Sequence, residues 1–216
     1  MSTKHLLRNY LSYTQRYYKE VWKFSCSNKN LIRFSTVIFI EMFVFYIVNG
    51  TANDHYRVYV ESAQDLYPNE LVFIFCENLK SAAGMILVGL VPLFFGGLYG
   101  AMMAVSGLVV TLKYELQSLP FRTIFLSLLP HGIFEMTVLV FSYILSNILS
   151  EEITLGLWRR ITGKTVSFWG RPSPLFGIKK TGVFILSSMV FVIVPLLFLA
   201  ATIEVTISPM VLSVLM

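Results

Sequence analysis

The chain has 216 residues, of which 56% are apolar and 13% charged, against about 45–50% and about 25% in an ordinary soluble domain. Crossing about 30 Å of hydrocarbon takes a helix of about 20 mostly apolar residues, so this length has room for four to six crossings in one membrane domain. The formal charge is +5, but the Lys and Arg fall in two blocks flanking apolar segments, the pattern of cytoplasmic loops and not of a nucleic-acid surface.

From Lys4 to Phe24, Leu7, Tyr10, Tyr13, Tyr17, Val21 and Phe24 recur at helical spacing. Lys4, Arg8, Lys19 and Lys23 fall largely on another face. This amphipathic, basic segment (1–30) suits either an anionic membrane surface or a short helix packed on the loops. It lacks a small-residue cleavage site and does not read as a signal peptide, so the first span is expected to stay in the mature protein. Cys26 and Cys76 fall in different environments with no CxxC or His-rich neighbour, so neither a disulfide nor a zinc site is expected.

The transmembrane domain, 31–216, begins with span one at 31–49, which carries Glu41 near its middle. The acidic stretch from Asn49 to Glu70 reads as an external loop. An apolar run follows from Leu71 to Leu112, long enough for two crossings, 71–91 and 96–112, with Pro92, Gly96 and Gly97 marking the turn. Gly96, Gly100 and Ala104 at four-residue spacing would let another helix approach closely. Phe121 to Leu129 is too short to span and reads as a half-helix, because Pro130 favours the first turn of a new helix, span four at 130–150. A single helix kinked at Pro130 is the alternative. Arg159, Arg160, Lys164, Arg171, Lys179 and Lys180, with Trp158 and Trp169, make 151–180 a cytoplasmic loop. Span five follows at 181–204 and stops at Ser208 and Pro209. The reading is an all-α, five-span bundle in the plasma (inner) membrane, N-terminus cytoplasmic and C-terminus external; a sixth crossing would put the second basic segment outside.

An ionisable side chain in hydrocarbon costs at least about 2.5–3.5 kcal/mol by insertion scales, which makes Glu41, Lys80, His131, Glu135 and Glu204 functional candidates. Asn78 and Lys80 lie about 10 to 14 Å into span two from its external end. His131 and Glu135 are one turn apart near the external start of span four, and Glu204 lies near the external end of span five. Five-span topology therefore brings Asn78, Lys80, His131, Glu135 and Glu204 to similar depth. Three readings compete for this cluster. It can lock helices together, with Lys80 paired to Glu135 or Glu204 and His131 bonded to a carbonyl. It can exchange protons or hold a cation during transport. Or His131, Glu135 and Glu204 can ligate a metal for hydrolysis, although His-Gly-x-x-Glu is not an HExxH motif and no nucleophile motif accompanies it.

Three ordered stretches, ENLK from Glu77 to Lys80, LLPHGIFE from Leu128 to Glu135, and ATIEVTISP from Ala201 to Pro209, resemble the stage II sporulation protein M family of bacterial and archaeal membrane proteins. The resemblance implies a helical membrane domain in which Asn78, His131, Gly132, Glu135, Glu204 and Pro209 match recurring positions. Glu77 departs from the family pattern, where many relatives have a second Asn, and a Glu here adds a candidate partner for Lys80. The sporulation member works with partner proteins that remodel peptidoglycan, and other relatives are associated with circular bacteriocin production. The expectation is a non-enzymatic component of a membrane complex handling a peptide or cell-envelope substrate, without a cofactor. Its expected partners are the lipid bilayer and other membrane proteins or further copies of itself, with no nucleic acid. The alternatives are a small transporter or exporter subunit and an intramembrane metal-dependent hydrolase.

Overall fold

The structure is a computed structural model that describes residues 12, 14, 15, 17–19, 26, 29–49, 69–93, 97–102, 105, 106, 109, 121–164 and 178–215. Apolar runs without water to bond their backbone must close their own hydrogen bonds, and every long element described is a helix. In chain order these are α1 (Lys29–Asn49), α2 (Glu70–Val88), α3 (Phe121–Thr162), α4 (Ile178–Ser188), a π-helical turn (Met189–Ile193) and α5 (Val194–Leu215). Residues 97–102, 105, 106 and 109 are also helical. Three stretches are long and apolar enough to cross a membrane among the described residues: Glu70–Val88, Phe125–Thr162 and Lys179–Val211.

The ends of the helices follow from their sequences. Asn69 caps α2, its side-chain oxygen accepting the Leu71 N–H at 2.8 Å, and Glu70 in the first turn faces the positive end of the helix dipole. At the far end of α3, Arg159 and Arg160 complement the dipole. Gly163, at φ +68°, donates its N–H to the Arg159 carbonyl at 3.0 Å and ends the helix in the left-handed conformation.

Two expectations about proline are corrected. Residues 121–129 are not a separate half-helix: α3 is one helix of 42 residues with Pro130 inside it. Span five does not stop at Ser208 and Pro209, because α5 continues through Pro209 to Leu215. A proline removes one N–H from a helix, whereas breaking the helix in a dry environment strands several backbone groups at once, so the continuous helix wins. Span four likewise runs past 150, and Glu151 and Glu152, assigned to a cytoplasmic loop, are buried side chains of α3.

The long α3 is the axis of the bundle, packing against α1, α2, α4, the π turn and α5. One core joins Leu31, Ala82, Ile86, Leu145, Ile148 and Leu197. A second joins Phe39 of α1 and Tyr143 of α3 with Met85, Ala101, Val105 and Val109. Burial of apolar surface does not separate protein from lipid, so close backbone approach and interhelical polar bonds hold such helices together. The segment after α2 supplies both. A Cβ on Gly89 would lie 2.5 Å from the Ser146 carbonyl oxygen, and one on Gly100 would lie 3.2 Å from the Met85 Cα. Gly96 and Ala104, the other members of the expected small-residue ridge, lie outside the described residues. The Ser150 hydroxyl donates to the Val91 carbonyl at 2.8 Å, and the Leu93 N–H donates to Thr154 Oγ1 at 2.8 Å. These bonds hold Leu93 in the left-handed region, at φ 63°.

Of the N-terminal amphipathic segment, residues 12, 14, 15 and 17–19 are described, and they are helical. Tyr17 is buried against Phe184 and Phe191, and its hydroxyl donates to Ser188 Oγ at 2.6 Å. Pro195 has no N–H to offer the Phe191 carbonyl four residues earlier, and the Tyr18 hydroxyl donates to that carbonyl at 2.9 Å. The segment thus packs on the helix around its π turn, where the backbone has an acceptor to spare.

Candidate functional site

Three helices meet around the candidate residues. Asn78 on α2 donates its side-chain N–H to Oε1 of Glu135 on α3, both being half-buried. One turn away on α3, His131 is buried with Nδ1 3.1 Å from Oγ of Ser208 on α5. The Ser208 hydroxyl donates to the Ser127 carbonyl at 3.0 Å. A hydroxyl has one hydrogen, so the Ser208–His131 contact is made by Nδ1–H donating to Oγ, which leaves Nε2 of the neutral ring as an acceptor. The bond lands on the α3 turn that contains Pro130, where one backbone bond is already missing.

Glu204 lies one turn before Ser208 on α5 and is half-buried. Since α3 and α5 run antiparallel through the 131–208 contact, one turn along each brings Glu204 toward the level of Glu135. Lys80 bonds Glu77 of its own helix, the added partner that a Glu at this position offers, Nζ to Oε1 at 2.6 Å, and its side chain is 60% exposed. The (i, i+3) neighbour is reached without crossing to another helix. Glu41 is exposed on α1. Gly132 has open space where a Cβ would stand, and Pro209 is exposed. Among the described residues no group of three His, Cys, Asp or Glu side chains is placed to hold a metal ion. Cys26 is exposed, Cys76 is half-buried, and both are free thiols.

A second polar group escaped the sequence reading. Ser142, Ser146, Asn147, Ser150 and Thr154 are buried along α3. Asn147 donates to Oγ of Ser35 on α1 at 3.0 Å. Its signal was present as Ser142, Ser146 and Ser150 at four-residue spacing in an apolar run, a ridge of small polar residues of the kind that packs helices in lipid. Ser208 and Ser127 were missed for the same reason, being uncharged.

An all-helical architecture, membrane-length apolar helices and interhelical polar ties near one end define a helical membrane protein. The model of the family "Stage II sporulation protein M" matches residues 32–209. That match covers most of the chain, which therefore belongs to this family. No curated protein and no solved structure matches it.

Proposed function

We propose that the chain is a five-span plasma-membrane scaffold, N-terminus inside and C-terminus outside, working without a cofactor in a complex that handles a peptide or cell-envelope substrate. In this reading α1, α2, the helix from residue 97, α3, and α4 with α5 are the five spans, and Asn78, Glu135, His131 and Ser208 fix three of them near the outer face. The observation that carries it is the direction of the polar bonds: Asn78 reaches Glu135 and Ser208 reaches both His131 and Ser127, each across a helix boundary. Donors and acceptors already committed between helices favour a rigid frame over a path for ions.

Glu135→Gln and Glu204→Gln test this against a transporter. Glutamine keeps the oxygen that accepts from Asn78 but cannot ionise. The scaffold predicts normal insertion, normal co-purification with partner membrane proteins and retained cellular function. Normal assembly with loss of a pH-dependent flux in vesicles would overturn it.

A further inference from the structure

Two charged side chains stand exposed midway along apolar helices. Glu41 is exposed near the middle of α1, and Lys80 is exposed near the middle of α2. Glu41 stands about 12 Å along the axis from the Asn49 end of its helix, and Lys80 about 15 Å from the Glu70 end of its own. On the five-span reading, on which this inference rests, those two ends face the same side of the membrane, so the charges lie at nearly one depth. Among the described residues Lys80 is the exposed cation set furthest from a helix end.

The faces around them are complementary in shape as well. Glu41 is flanked by exposed Val37, Ile40, Val44 and Phe45. Lys80 is flanked by exposed Ser81 and by Gly84, where open space stands in place of a Cβ. One face is bulky around an acid, and the other is small around a base. Bringing Glu41 opposite Lys80 on antiparallel helices sets Ile40 opposite Ser81, Val37 opposite Gly84 and Phe45 opposite Cys76. Small residues let a neighbouring backbone come close, and an ion pair inside lipid needs such closeness to exclude the hydrocarbon.

We infer that copies of this chain associate in the membrane through α1 of one and α2 of the next, with Glu41 bonding to Lys80 across the contact. Lys80 has three N–H donors, so the bond to Glu77 is retained beside the new one. The surface is heterologous, α1 against α2, and builds a closed assembly or an open row according to the rotation between copies.

The register supplies its own test through native Cys76. Copies carrying Cys26→Ser, Cys76→Ser and Phe45→Cys are co-expressed with differently tagged copies carrying Cys26→Ser alone, then purified and reconstituted in lipid vesicles with no other protein. A short bifunctional thiol reagent should give an adduct carrying both tags, reduced at least fivefold when Glu41→Gln is added to the first copy or Lys80→Gln to the second. Absence of the adduct, an adduct indifferent to both substitutions, or an adduct joining two copies of the first kind through their introduced thiols would overturn the inference. An adduct formed in cells but not in the vesicles would also overturn it, assigning the Glu41 face to a different membrane protein. Labelling native Cys26 and an introduced Val48→Cys from opposite sides of the membrane establishes separately that α1 spans, so loss of the contact is distinguishable from loss of the topology.

Discussion

Replacing Ser208 by Ala removes one hydroxyl that serves two groups on α3, the His131 ring at 3.1 Å and the Ser127 carbonyl at 3.0 Å. In a water-soluble core, stranding a buried donor costs about 1–3 kcal/mol. Between membrane helices the measured average is nearer to about 0.6 kcal/mol, with a maximum of about 1.7. The membrane figure governs here for two reasons. The Ser127 carbonyl has a second lone pair, and the His131 ring can move its proton from Nδ1 to Nε2. The expected loss for Ser208→Ala is therefore about 1 kcal/mol. His131→Ala alone costs more because it also deletes a buried ring. A double-mutant cycle cancels that volume term and isolates the bond, for which a coupling of about 0.5–1.5 kcal/mol is predicted. Reversible unfolding in mixed micelles, followed by far-ultraviolet circular dichroism, gives all four corners. Additivity within about 0.3 kcal/mol would refute the view that His131 and Ser208 tie α3 to α5.

The remaining predictions use the same assay. Gly89→Ala places a Cβ 2.5 Å from the Ser146 carbonyl oxygen, a backbone atom that cannot rotate away, and should cost about 1–3 kcal/mol, whereas Gly156→Ala, with open space around it, should cost nothing measurable. Asn78→Asp turns the donor facing Glu135 into a second carboxyl and should destabilise by about 1–3 kcal/mol, while Glu135→Gln, which keeps the acceptor, should stay within about 0.5 kcal/mol of the parent. Tyr17→Phe removes a buried hydroxyl bond to Ser188 and should cost about 0.5–1.5 kcal/mol, with faster proteolysis of the N-terminal segment, and Tyr18→Phe, at a partly exposed carbonyl, should cost less.

The fold was legible wherever composition alone decides. Apolar runs the length of a bilayer marked α2 and the helix through α5, and the Lys- and Arg-rich blocks set the proposed topology. Pro130 and Pro209 suggest helix boundaries only where water stands ready to bond a broken helix end. Once the surroundings are dry, one missing N–H is the smaller loss. Topology and spacing group Asn78, His131, Glu135 and Glu204 by depth, whereas the bond from Asn78 to Glu135 and the contact of His131 with Ser208 are seen only in the structure. The partners were not legible. Ser208, Ser127 and Asn147 carry no charge, so the cost of burying charge does not mark residues that tie helices together through hydroxyl, carbonyl and amide bonds. The bond between Lys80 and Glu77, one turn away on its own helix, is one the sequence offers directly.

The proposed scaffold requires α2, α3 and α5 to present their polar residues at one level and toward one compartment. Single cysteines placed at 78, 135, 204 and 208 in a background lacking Cys26 and Cys76, probed with a membrane-impermeant thiol reagent from each side of sealed vesicles, read this directly. All four are predicted to react only from the outer side or to be shielded from both. Reaction of position 135 from one side and 204 from the other would contradict it.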